Sequence, residues 1–449
     1  MTAEQQLELA VEEGFANAVQ HAYPDGTCGP VHLEARVEGS LLALSIRDEG
    51  MPFVPATPSG PIEDSSFRGL GLRLVSRLAE EVRFIQHREG KELRMSFPLP
   101  QDFPASSSAL ASVPVAAEQV YQIRPMASHE SMDVARLFWL AYGYSFGNES
   151  FYRPEEMQHL IGSGKVVSFV AVSESGEIVG HGGLIRPDPV PTAEAALLVV
   201  HPAHRGRKLM EKLSAALVKQ ACQLQLQGLS TVAVTSHPLS QREAQRVGGV
   251  VCALELAAAP PRQFKALNSA PSTPQRETLV TWFLHLGAPL AAVANAPLRH
   301  RAMLSRLYQA LGRPLSWLDG PGDEGSGELD VVFHRTRGRG AIRVLRAAEG
   351  LWPEIARAAD DLANIGGAEV VDLDLPLAQP GTARLWERAE QAGFFFVGIR
   401  PYQAEDGDCV RLKRLLTDVD ISGLDIVSEL GQELLAYVIA ERERLQAGV

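Results

Sequence analysis

Residues 101–118, QDFPASSSALASVPVAAE, are rich in Ser, Ala and Pro and show no amphipathic period. A segment with no face to bury reads as a linker, so the chain must fold as separate bodies on either side of it. At 449 residues it also exceeds what one core ordinarily organises, and its length predicts about three domains. The expected divisions are 1–100, the linker 101–118, then 119–287 and 288–449. A second punctuated stretch, Gly320 to Glu328 (GPGDEGSGE), is expected to be a loop in the last division.

Hydrophobic residues make up 45% and charged residues 21%, the profile of a folded globular protein. No apolar run approaches the roughly 20 residues that cross a bilayer. The opening MTAEQQLELAVEEGF is acidic from its fourth residue and lacks the basic start and apolar stretch of a secretory signal. Cys28, Cys222, Cys252 and Cys409 lie far apart, without metal-ligand spacing or a disulfide-dense pattern. A reducing cytoplasm is expected, with no membrane partner. A net charge of −12 argues against a general nucleic-acid binder. The obvious basic patch is local, His204-Arg205-Gly206-Arg207-Lys208.

From Leu7 to Ala22 the apolar positions Leu7, Val11, Phe15, Ala18 and Ala22 predict an amphipathic helix. Glu13, Asn17 and His21, four apart, share another face. A carboxylate and an amide on adjacent turns suit Mg²⁺, a hard cation that takes oxygen ligands; a solvated helix face explains the same spacing. The strand LLALSIR (41–47) then runs into Asp48-Glu49-Gly50. Further on, Arg68-Gly69-Leu70-Gly71-Leu72 opens a helix over 73–80. Glycines before a helix let backbone N–H groups approach phosphates, which the helix N-terminus favours.

In this order the three elements resemble the GHKL ATPase superfamily, and the continuation GLGLRLVSRLAEEVRFIQHREGKELRMSFPL resembles its anti-sigma-factor serine kinase branch. Glu13-x-x-x-Asn17 is similar to the N box, Asp48-x-Gly50 to the first glycine box and Gly69-x-Gly71 to the second. The resemblance implies ATP as ligand, with Asn17 on Mg²⁺ and Asp48 accepting from the adenine amino group. It also implies Gly69 and Gly71 in a phosphate lid, Glu13 as general base toward a serine hydroxyl or water, and a partner protein of the anti-anti-sigma kind. Members of this branch usually carry a strand and helix before the N-box helix; here that helix begins almost at once.

The second division predicts a buried strand, AEAALLVV (193–200), running into His201-Pro202-Ala203-His204-Arg205-Gly206-Arg207-Lys208 and then a helix over 210–223. A strand delivering a basic turn to a helix N-terminus suits a pyrophosphate. The unit resembles the GNAT acyltransferases, whose loop reads Arg/Gln-x-x-Gly-x-Gly/Ala. Arg205 stands in its first position, while Lys208 and Met210 replace its glycines. The resemblance implies acetyl-CoA, or another acyl-CoA, held by Val199, Val200, Arg205, Gly206 and Lys208. Glu194 and His237 are the candidate bases, set against a surface-satisfied carboxylate and a helix-capping histidine.

The last division reads as an α/β run in which Gly393-Phe394 and the strand after it resemble the end of a GNAT domain, without a phosphate loop. Trp317, Trp352 and Trp386 are expected in the core. The expected fold class is α/β (α+β): a GHKL ATPase sandwich followed by tandem GNAT-like mixed sheets, the second half degenerate. The function expected is cytoplasmic signalling by an ATP-binding, serine-kinase-like module joined to an acyl-CoA-dependent N-acyltransferase. Two alternatives stay open, a non-catalytic nucleotide-responsive switch and an acyltransferase with the ATP domain as sensor. A homo-oligomer is also left open.

Overall fold

The computed structural model describes residues 3–23, 29–38, 41–50, 75, 77–86, 90–99, 120–142, 146–186, 190–260, 275–320, 322 and 325–447. The chain divides into two compact units, Met1–Leu110 and Ala111–Val449. The expected linker lies outside the described residues.

In the first unit α1 (Ala3–His21) packs on an antiparallel sheet of β1 (Val31–Glu38), β2 (Leu41–Asp48), β3 (Glu81–Gln86) and β4 (Lys91–Pro98), in the order β1-β2-β4-β3. The helix buries Ala10, Gly14, Ala18 and Ala22, one small residue per turn. A Cβ on Gly14 would lie 2.6 Å from Ile46 Cδ1, so the small stripe is what allows this close approach. Phe15, expected on the core face, keeps 45% of its surface exposed. Contact through the small residues turns the bulky ring to the helix flank.

The second unit is built on one twelve-stranded sheet. Its first run comprises β5 (Gln122–Pro125), α2 (Ser131–Tyr142), α3 (Pro154–Gly162), β6 (Val166–Val172), β7 (Ile178–Ile185) and β8 (Thr192–Val200). It continues with α4 (Leu209–Gln223), β9 (Gly228–Val234), α5 (Leu239–Arg246), β10 (Val250–Ala259) and β11 (Glu277–His285). After a two-stranded parallel pair, β12 (Ala292–Ala294) and β13 (Leu315–Trp317), around α6 (Arg301–Ala310), the pattern restarts. The second run is β14 (Glu328–His334), β15 (Arg339–Arg346), α7 (Trp352–Asn364), β16 (Val370–Pro376), α8 (Thr382–Gln391), β17 (Phe395–Ala404) and β18 (Gly407–Leu415), closed by α9 (Glu429–Ala447).

The strand orders β7-β8-β9-β11-β10 and β14-β15-β16-β18-β17 are the same, and in each the second and third strands are parallel. The two runs meet antiparallel through their equivalent strands, β10 and β17, at Ala253 and Gly398. A Cβ on Gly398, whose φ is +146°, would lie 2.3 Å from Ala253 Cα, so only glycine admits this join. One face of the sheet near the join is apolar and carries α7, α8 and α9, with Leu373, Trp386, Phe396 and Val438 fully buried. The opposite face of the second run carries the charges described below.

Candidate functional site

Asp48 ends β2 as a buried carboxylate. Its Oδ1 accepts from Gly50 N–H and from Lys91 Nζ, each at 3.0 Å, and Oδ2 has no hydrogen-bond partner among the described residues. A Cβ on Gly50 would sit 2.1 Å from Ala22 O, so glycine lets this turn close against the end of α1. Asn17 and Glu13 are half-buried on α1. Asn17 Nδ2 donates to Glu13 C=O at 2.8 Å, which leaves the amide oxygen, the atom a hard cation takes, for another partner. Gly69 and Gly71 lie outside the described residues, as does the His21 side chain.

In the second unit β8 pairs with β9 only from Thr192 to Glu194, opposite Gly228 to Ser230. Beyond Glu194 the strands part: the Thr231 hydroxyl still donates to Ala195 C=O at 2.8 Å, and from Ala196 on β8 has no partner strand on that side among the described residues. Leu197 bulges at φ +61°, and its C=O accepts from the fully buried His181 Nδ1 at 2.9 Å. His181 Nε2 meets the Ser168 hydroxyl at 3.1 Å, and burial pushes this imidazole down to about 4. Val199 lies buried and Val200 half-buried on the same parted strand.

The turn after β8 is shaped by its side chains. His201 Nδ1 accepts from Ala203 N–H at 3.2 Å, and the buried His204 Nδ1 pairs with Tyr121 OH at 2.9 Å. Arg205, Gly206 and Lys208 are exposed. Gly206 has φ +77°. Lys208 has φ +58°, the left-handed conformation that the replaced glycine would favour. Lys208 is the N-cap of α4 and gives no side-chain cap, so the helix presents its first-turn N–H groups beside exposed cations.

The second run closes the corresponding gap. Gln379, three residues past β16 as His237 is three past β9, accepts from Ala347 N–H at 2.6 Å and donates to Leu345 C=O at 3.1 Å. The edge left open in β8 is thus capped in β15, and the turn before α7, Glu349-Gly350-Leu351, has none of the left-handed residues of the first run's loop.

Glu194 lies opposite Ser230 early in β9, whereas His237 follows the end of that strand, past Val234 and the bend at Thr235 and Ser236. Glu194 is half-buried by surface area, yet enough protein surrounds it that burial raises its carboxyl above the usual range, against the pull of Arg400, Arg337 and Arg339. These arginines belong to a network on the charged face that the sequence analysis missed. Lys413 Nζ donates to Asp372 at 2.5 Å, and Arg339 Nη2 pairs with the same carboxylate at 2.5 Å. Arg411 forks onto Asp374 and reaches Glu255, whose Oε1 also accepts from Thr281 OH at 3.3 Å. The cations hold the Asp372 and Asp374 carboxyls well below the usual range despite their burial. Alternation in VVDLDLP and CVRLKRL carried the signal: Asp372 and Asp374, and Arg411 and Lys413, stand two apart on otherwise largely apolar strands.

Residues 1–97 match the histidine kinase-like ATPase domain family, and residues 132–248 match the acetyltransferase (GNAT) family. The chain therefore carries a histidine kinase-like ATPase domain followed by a GNAT-family domain. The serine-protein kinase RsbW of Bacillus subtilis is 36% identical over 99 residues, 20% of this chain and 61% of the relative. RsbW of Oceanobacillus iheyensis is 30% identical over 99 residues, 20% of this chain and 62% of that protein. The chain thus spans about three fifths of the length of these curated relatives. Among solved structures, the ribosomal-protein-S5-alanine acetyltransferase of Vibrio fischeri is 13% identical with a TM-score of 0.30, covering 38% of this chain and 98% of its own. At that level the likeness carries no argument. No described helix is long and apolar enough to cross a membrane.

Proposed function

We propose that this chain is a cytoplasmic signalling protein in which an ATP-binding, serine-kinase-like module is joined to a single-site, acetyl-CoA-dependent N-acetyltransferase. We divide it into the ATPase domain (1–100), a linker (101–118), the active GNAT domain (119–287) and a silent GNAT-like half (288–449). One observation carries the transferase reading: the edge of β8 is open beside an uncapped, cation-flanked helix N-terminus, while Gln379 caps the equivalent edge in the second run. The parted edge suits the amide groups of a pantetheine arm, and the turn with Arg205, Gly206 and Lys208 suits a pyrophosphate.

Beside Glu194 the acceptor nitrogen attacks the thioester carbonyl, the C–S bond breaks and the coenzyme leaves as its thiolate. The proton shed by the nitrogen passes to Glu194, whose carboxyl burial raises above the usual range, and then through solvent to the thiolate. His237, three residues past β9, would lie toward the coenzyme arm. In the ATPase module Asn17 would hold Mg²⁺ through its amide oxygen, Asp48 Oδ2 would read the adenine amino group, and Glu13 would serve as base toward a protein serine. Mg²⁺ would supply charge neutralisation at the phosphates. The free Cys222, Cys252 and Cys409 agree with a reducing compartment.

A sensor that holds acetyl-CoA without turnover is favoured by Lys208 and Met210 in the glycine places of the loop. Thiol release from acetyl-CoA, followed with a chromogenic disulfide over a panel of primary amines, separates the two. Amine-dependent release that Glu194→Gln lowers at least a hundredfold supports the transferase. Binding without release for every amine supports the sensor.

A further inference from the structure

The charged network is unevenly paired, and the unevenness lies beside Glu194. Arg411 alone occupies both oxygens of Asp374, Nε to Oδ1 and Nη2 to Oδ2, each at 2.7 Å. Arg400 adds a third donor to that carboxylate, Nη1 to Oδ2 at 2.8 Å. Its other N–H groups have no hydrogen-bond partner among the described residues, and 25% of its side chain is exposed. Among the described residues Arg339, Arg400, Arg411 and Lys413 form ion pairs only with the carboxylates of Asp372, Asp374 and Glu255, so the network is cationic before Glu194 is counted. At its rim Arg337, in the turn between β14 and β15, donates to Gly147 C=O of the first run at 2.9 Å.

The path of β17 brings Arg400 to Glu194. Two residues after Arg400 the Tyr402 ring lies 5.8 Å from that of Phe283, and one residue later Gln403 Nε2 donates to Thr192 Oγ1 at 3.0 Å. Phe283 is opposite Ser230, Ser230 is opposite Glu194, and Thr192 precedes Glu194 by two residues on β8. A planar fork with spare donors, supplied by the second run, therefore stands beside the carboxylate that the first run offers as base. Such a fork matches a carboxylate in shape and charge.

We propose that the acceptor is an amine bearing a carboxylate a few bonds from its nitrogen, and that Arg400 binds this carboxylate while Glu194 faces the nitrogen. The inference rests on the acetyltransferase reading above. It makes the silent half a wall of the acceptor site.

The test is calorimetric titration of the full chain, with and without CoA, using N-acetylglycine and N-acetyl-β-alanine against their primary amides. At least one acid should bind tenfold or more tightly than its amide, and Arg400→Gln should bring the two within twofold. Arg411 keeps Asp374 paired in that variant, so its thermal melt should stay within a few degrees of wild type. Equal binding of acid and amide by the wild type would overturn the proposal whether or not the variant folds. So would a preference that survives Arg400→Gln. Failure of CoA to bind in the same titrations would count against the acetyltransferase reading alone, because the anion preference is also measured without CoA.

Discussion

Among the described residues Asn17 bonds only within its own helix turn, to Glu13 C=O, so its side chain has little structural work there. Asn17→Ala should move the melt of the apo protein by less than about 1 kcal/mol equivalent, the ordinary worth of such a bond. It should abolish magnesium-dependent ATP binding by calorimetry, and unchanged affinity would remove Asn17 from the site. Glu194 has the opposite character: its surroundings tune its acidity. Because burial raises its pKa and the reaction needs the ionised form, log kcat/KM should climb with pH through a value above the ordinary carboxylate range, then level off. Glu194→Gln should flatten that limb. A limb that persists in the variant would assign the base to another group.

Among the elements, β8 is held in its parted, bulged shape by the bond from His181 to Leu197 C=O. The folded protein keeps this imidazole neutral down to about 4, whereas an unfolded chain protonates it near 6.5. A depressed histidine contributes stability that is complete above the unfolded value and lost as pH falls toward the folded one. About 3 kcal/mol should therefore disappear between pH 6.5 and 4. His204, His285 and His334, also lowered by burial, add to the same window. Asp372, Asp374 and Glu255, lowered carboxyls, lose their contribution only further down. Urea titrations of wild type and His181→Gln at pH 7, 6 and 5 should show a shallower loss in the variant; parallel losses would deny His181 this part. The elements themselves were legible. Val166–Val172 is an apolar β-branched run with turns at both ends, and Leu209–Gln223 has a clean helical period. The charged face was not, because Arg411 meets Asp374, 37 residues away on the neighbouring β16, and Glu255, 156 residues away on β10, only once the sheet is assembled. Phe15 was misread because periodicity marks apolar positions without showing which face the small residues Ala10, Gly14 and Ala18 would bring against the sheet.

For the whole molecule, the second unit repeats one strand order twice and joins the copies through β10 and β17 at a glycine. On the proposed reading the repeat offers two candidate coenzyme slots, of which one is open. Lys208 takes a left-handed conformation without blocking the α4 N-terminus, while Gln379 bonds into the other slot. The proposed acceptor site gives the second run a role, because its charged face would line the site of the first. The measurement that tests this most directly is the stoichiometry of acetyl-CoA on the full chain, by native mass spectrometry and calorimetry at low and high salt. One acetyl-CoA per chain is expected, bound more weakly as salt rises and lost in the double variant Arg205→Glu/Lys208→Glu. Two per chain, or one that is indifferent to both salt and charge reversal, would contradict the account.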